Sequence, residues 1–76
     1  MPHVIVKMHS GRSEQMKTAL AETLTKAVMD TLGSGEESVS VAIEDIQPKD
    51  WTEQVYKPDI IAKPRSIYKK PGYDPR

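Results

Sequence analysis

The residue best placed for chemistry is the second one. Pro2 directly follows Met1, and a small residue at that position allows removal of the initiator methionine, which would leave proline as a free amino terminus. A terminal proline is a secondary amine, able to accept a proton once it is uncharged. An α-amino group titrates near about 7.7–8.0. An apolar surround or a neighbouring cation moves that value down, into the range where a general base works at neutral pH. Many chains begin Met-Pro by accident. Here the proline opens the β-branched run His3-Val4-Ile5-Val6-Lys7-Met8, and an amine fixed at a strand end is held in place where most termini fray. Arg12 follows at the turn leaving that run, either as a solvated turn charge or as a bidentate clamp for a substrate carboxylate. Trp51, the only tryptophan, is either a core or interface side chain or the cap of a cavity beside the sheet. His3 and His9 read as a strand-surface and a turn residue, and a charged His3 would depress the pKa of the adjoining amine.

Other chemistries fit poorly. The chain has no cysteine, which removes disulfides, thiolate metal sites and cysteine nucleophiles together. Two histidines without metal-ligand spacing give no reason to expect a zinc site. Phosphate-binding loops need glycines that open a helix, whereas Gly33-Ser34-Gly35 stands where a helix should end. Eleven basic and eleven acidic residues cancel, which argues against a general nucleic-acid binder. The balance is uneven, because Lys63, Arg65, Lys69, Lys70 and Arg76 make the tail basic. That basic run reads first as a solubilising surface and second as a complement to an acidic partner subunit. No apolar stretch approaches the roughly 20 residues that span a bilayer, and no signal peptide is visible. The expected setting is the cytoplasm, with a small-molecule substrate, no cofactor, no metal, no nucleic acid and no membrane.

The elements that must position these residues are legible from periodicity. The first run alternates, with Val4, Val6 and Met8 on one strand face. After the turn His9-Ser10-Gly11-Arg12, Ser13 is a helix N-cap and Glu14 favours the positive helix end. Met16, Leu20, Leu24, Ala27, Val28 and Leu32 then repeat at helical spacing, with Lys17 off that stripe. Gly33 closes the helix. A second strand follows, in which Val39, Val41 and Ile43 point one way and Ser40, Ala42 and Glu44 the other. This spells one β-α-β unit whose strands pair in parallel and whose helix covers one sheet face, leaving the other bare as a subunit interface. Asp50-Trp51-Thr52-Glu53 has the capping-box pattern, predicting a short helix or turn that ends before Pro58. The proline-rich remainder, residues 58–76, is expected to be an arm packed on another subunit.

Size points the same way. With 76 residues, 37% of them apolar, a single domain buries only about 60% of the surface its unfolded chain exposes. Such a domain needs reinforcement, and a second copy of itself is the expected source.

These residues resemble a known family. Pro2 after Met1, the short strand, Gly11-Arg12-Ser13 before an amphipathic helix, and Ser38-Val39-Ser40-Val41-Ala42-Ile43-Glu44 are similar to the 4-oxalocrotonate tautomerases. The tail with Lys69-Lys70-Pro71-Gly72-Tyr73 resembles the PptA-type branch of short dimeric tautomerases. The resemblance spans nearly the whole chain. It implies an α+β fold of the β-α-β tautomerase type shared with MIF, dimeric or hexameric, with the tail favouring the dimer. It also implies that Pro2 is the general base of a cofactor-independent keto–enol tautomerisation, that Arg12 binds the substrate carboxylate, and that Trp51 lines an apolar pocket. Where hexameric members carry a second arginine in the second strand, this chain has Ser40, expected to contact substrate without supplying a cation. A phenylpyruvate-like 2-oxo acid or aryl enol fits that arrangement better than a dicarboxylate. The alternatives are use of a protonated Pro2 as general acid in hydrating or dehalogenating an unsaturated acid, and a dimeric scaffold that kept the fold without the activity.

Overall fold

A β-branched run that alternates sides is held flat by pairing with a second such run, and the chain has two. In a computed structural model describing residues 1–76, β1 (His3–His9) and β2 (Ser40–Ile46) pair in parallel, from His3 opposite Ser40 to His9 opposite Ile46. Between them runs α1 (Glu14–Leu32). Ser13 caps it as expected, its hydroxyl accepting from the Met16 amide at 3.1 Å. At the other end Gly33 takes the left-handed conformation, φ 70°, and donates to the Met29 carbonyl.

The helix lies on the face carrying Val4, Val6 and Met8, but it is rotated from the expected stripe. Leu20, Leu24 and Val28 are half-buried, joined by Lys17, Ala21, Thr25 and Met29, whereas Met16, Ala27 and Leu32 are exposed. At 100° per residue, the buried arc runs from Leu20 to Met29 and is centred between Val28 and Ala21, which puts Met16 and Ala27 just past its edge. Leu32 overhangs for a different reason, since a helix of 19 residues is about 28 Å long and strands of seven are about 23 Å. Lys17 belongs to the covered face because its ammonium reaches Asp45 at the end of β2, 2.5 Å away. The carboxylate that receives it raises the Lys17 pKa.

The third expectation is corrected most. Asp50 makes no cap; Pro48–Asp50 form a single 3₁₀ turn, and a helix with no side-chain cap follows from Thr52 to Ile61. It runs through Pro58 instead of stopping before it. An α-helix suffers at proline because the ring strikes the carbonyl four residues back and one hydrogen bond is lost. This helix is wound in the wider π register, closing with an Ala62 amide bonded to the Lys57 carbonyl five residues back at 2.9 Å, so proline is accommodated. Residues 58–61 therefore belong to this π-helix and not to the arm.

The second sheet face is only partly bare. The π-helix crosses the end of β1, where Lys7 donates to Asp59 at 2.5 Å and the Asp59 carboxylate raises the Lys7 pKa. The half towards Ile5, which is 54% exposed, stays open. The result is a plate of 39 × 31 × 18 Å, with α1 on one face of the sheet and the π-helix over part of the other. Val55 and Tyr56 of the π-helix are the only buried residues, so a single chain has almost no interior. No helix is long and apolar enough to cross a membrane.

Candidate active site

Residues on one strand are separated by its length, and this decides how the candidate residues group. Pro2 sits half-buried at the entry of β1, where its carbonyl accepts from the Ser40 amide at 3.1 Å. Ser40 begins β2, so parallel pairing places both residues at the same end of the sheet. The Ser40 hydroxyl also bonds the His3 imidazole Nδ1 at 2.6 Å. His3 thus flanks the proposed base and is pinned by the proposed substrate contact. With Met1 attached, the Pro2 nitrogen is a tertiary amide that cannot take a proton. Met1 itself is fully exposed and makes no polar side-chain contact.

Arg12 and Trp51 lie at the opposite end. Arg12 leaves β1 on a turn that depends on Gly11, whose φ of 118° is closed to most side chains. Its guanidinium is exposed, forms no ion pair and touches only the His9 carbonyl, at 3.4 Å. Trp51 reaches the same residue from the 3₁₀ turn that precedes the π-helix, meeting the His9 ring edge-on at 5.0 Å. The six steps from His3 to His9 at about 3.3 Å each put roughly 20 Å between the two ends. In one chain the candidate residues therefore fall into two groups, Pro2 with Ser40 and Arg12 with Trp51, and none of its clefts is lined by Pro2, Ser40 or Arg12.

Two further residues stand with Arg12 and Trp51. His9, expected in a turn, is instead the last residue of β1, edge-on to the indole. Tyr73 comes from the far end of the chain to accept a hydrogen bond from Trp51 Nε1 at 2.9 Å. Its ring also lies 5.7 Å from that of Tyr56, over which the Arg76 guanidinium sits at 5.4 Å. Arg76 in turn grips Asp74 through its side chain and its backbone amide, each contact at 3.0 Å. The guanidinium first, and the amide second, hold the Asp74 carboxyl down at about 2. These side chains border an open cleft of about 420 Å³, lined by His9, Pro48, Trp51, Thr52, Tyr73 and Pro75.

The family model described as tautomerase enzyme matches residues 2–55, from the proposed base through both strands into the π-helix. The chain belongs to the tautomerase family. It is accordingly an enzyme of the isomerase class, and its PptA-type character is carried by relatives matched along nearly its whole length. A probable tautomerase of Xylella fastidiosa is 48% identical over 73 residues, covering 96% of this chain and 89% of that protein. Tautomerase PptA of Pectobacterium carotovorum is 43% identical over 75 residues, covering 96% and 97% respectively. Among solved structures, TomN, a 4-oxalocrotonate tautomerase homologue of the tomaymycin biosynthetic pathway, superposes with a TM-score of 0.64 at 42% identity, covering 66% of this tautomerase and 77% of TomN.

Proposed function

We propose that the protein is a homodimeric, cofactor-independent keto–enol tautomerase of the cytoplasm, acting on an aryl enol or 2-oxo acid of phenylpyruvate type. Its base is Pro2, freed by loss of Met1, and each of its sites is shared between two copies. The observation that carries this reading is the split of the candidate residues between the two ends of β1. A two-fold axis across the open sheet face brings the Pro2 end of one copy to the Arg12 end of the other, and does so twice. The near absence of buried residues in one chain supports the same conclusion, because a partner supplies the missing interior. Tyr68, 99% exposed in the arm, is available to that partner.

The chemistry follows from the pieces. The uncharged Pro2 nitrogen takes the enol hydroxyl proton; the O–H bond breaks, the carbonyl forms, and the enol double bond collects a proton at carbon from the prolinium just made. Arg12 of the neighbouring copy holds the carboxylate with a geometry matched to its two oxygens, and Trp51 covers the aryl ring and excludes water. Ser40 offers a hydroxyl where a second cation would be needed for a second carboxylate, which favours monocarboxylates. Pro2→Ala removes the secondary amine and is expected to lower kcat for ketonisation of phenylenolpyruvate by about 10²–10⁴, the range of a positioned general base. Unchanged turnover in protein shown by intact mass to lack Met1 would sink the assignment.

A further inference from the structure

An indole that forms the wall of a binding cleft works only if its two side-chain torsions are fixed. Trp51 is half-exposed, and its Nε1–H has one hydrogen-bond partner, the hydroxyl of Tyr73. The two residues are 22 positions apart, so nothing local holds them together. Tyr73 is itself held on both sides. Its ring rests on Tyr56, one of the two buried residues, and the next residues are locked by the Asp74–Arg76 pair, with Arg76 lying over the same Tyr56 ring.

We propose that Tyr73 is the positioning residue for Trp51, and that the last four residues, Tyr73–Arg76, form a strap that sets the width of the cleft receiving the aryl end of the substrate. This deepens the function proposed above and rests on it for the identity of the ligand. The cleft of about 420 Å³ is ample for a phenyl group, since a cavity of about 150 Å³ binds benzene. Arg12, whose guanidinium is exposed and reaches the carbonyl of His9, a residue of the cleft lining, would take the carboxylate. Removing the Tyr73 hydroxyl releases the indole N–H to water and lets the wall swing. Ligands that fill the cleft lose affinity, and ligands that end at the carboxylate do not.

Trp51 is the only tryptophan, so its emission reports the site directly. Wild-type protein lacking Met1 is titrated with trans-cinnamate, a planar aryl carboxylate, and with crotonate, which has the same carboxylate and alkene without the ring. Cinnamate is expected to change Trp51 emission saturably, and Tyr73→Phe to weaken it about two- to tenfold, the span of one lost neutral hydrogen bond, with crotonate unmoved. If Tyr73→Phe does not fold, Arg76→Ala, an exposed substitution that unfastens the strap, carries the same expectation of selective loss. Pro2→Ala is expected to bind cinnamate like wild type while losing turnover, which separates failure of the base assignment from failure of this one. Equal cinnamate affinity in wild type and variant, equal weakening of both ligands, or no saturable response in wild type would overturn the role of Tyr73.

Discussion

Arg12 can be removed almost without touching the fold, which makes its effect on catalysis unusually clean to read. Its side chain is exposed, its only polar contact is the 3.4 Å approach to its own His9 carbonyl, and it belongs to no ion pair. Substitution at such a surface position typically changes stability by no more than about 0.5 kcal/mol. On the substrate side the loss is larger. A hydrogen bond to a charged group contributes about 1.5–3 kcal/mol, and at about 1.4 kcal/mol per factor of ten, Arg12→Ala should lower kcat/KM for an aryl enol about 10- to 100-fold. Arg12→Lys keeps the charge and loses the planar fork, so it should fall between the two. The assay is ultraviolet decay of phenylenolpyruvate alongside a thermal melt of the same sample. A kcat/KM within threefold of wild type would refute the clamp. A large activity loss that comes with a melting point lowered by more than a few degrees would refute the reasoning that separates site from scaffold.

Two further outcomes test the supporting structure. Ser13→Ala deletes the hydroxyl that receives the Met16 amide and should cost about 1 kcal/mol, lowering the melting point by about 4–8 °C for a domain of this size; an unchanged melt would mean that the cap contributes nothing. The strap should be pH-dependent in a defined direction. Asp74 has its pKa lowered from 3.8 to about 2 in the folded chain, so its stabilising effect is complete above the unfolded value and is lost as pH falls through about 2. The difference in urea midpoint between wild type and Asp74→Asn should accordingly be present at pH 5 and vanish towards pH 2, and a difference that does not change over that range would contradict the Asp74–Arg76 contact.

Much of this arrangement is legible in the sequence because it is written in local periodicity. Alternation gave β1, helical spacing bounded by Ser13 and Gly33 gave α1, and the long helix between two strands made parallel pairing the expected arrangement. What escaped local reading depends on distance or on a compromise between rules. Pro58 reads as a stop because the α register cannot hold it, whereas the π register can. Lys17 reads as solvent-facing because it is charged, yet the end of β2 presents Asp45 directly above it. Tyr73 meets Trp51 only because the tail folds back, and no spacing pattern reports that. The candidate site was half legible in the same sense: Pro2, Arg12 and Trp51 could be proposed by type and place and Ser40 by resemblance, but their division into two ends emerges only from strand length and register.

That division also gives the most direct test. Pro2→Ala and Arg12→Ala proteins, each expected to keep at most about a tenth of wild-type activity alone, are mixed, allowed to exchange subunits, and assayed for aryl-enol ketonisation, with exchange verified by native mass spectrometry. If each site takes Pro2 from one copy and Arg12 from the other, a mixed dimer contains one intact site. Random exchange makes half the dimers mixed, so about a quarter of wild-type activity should return, as two-fold symmetry requires. Complete exchange with no recovery of activity would place Pro2 and Arg12 of the same chain in one site and contradict the shared-site account.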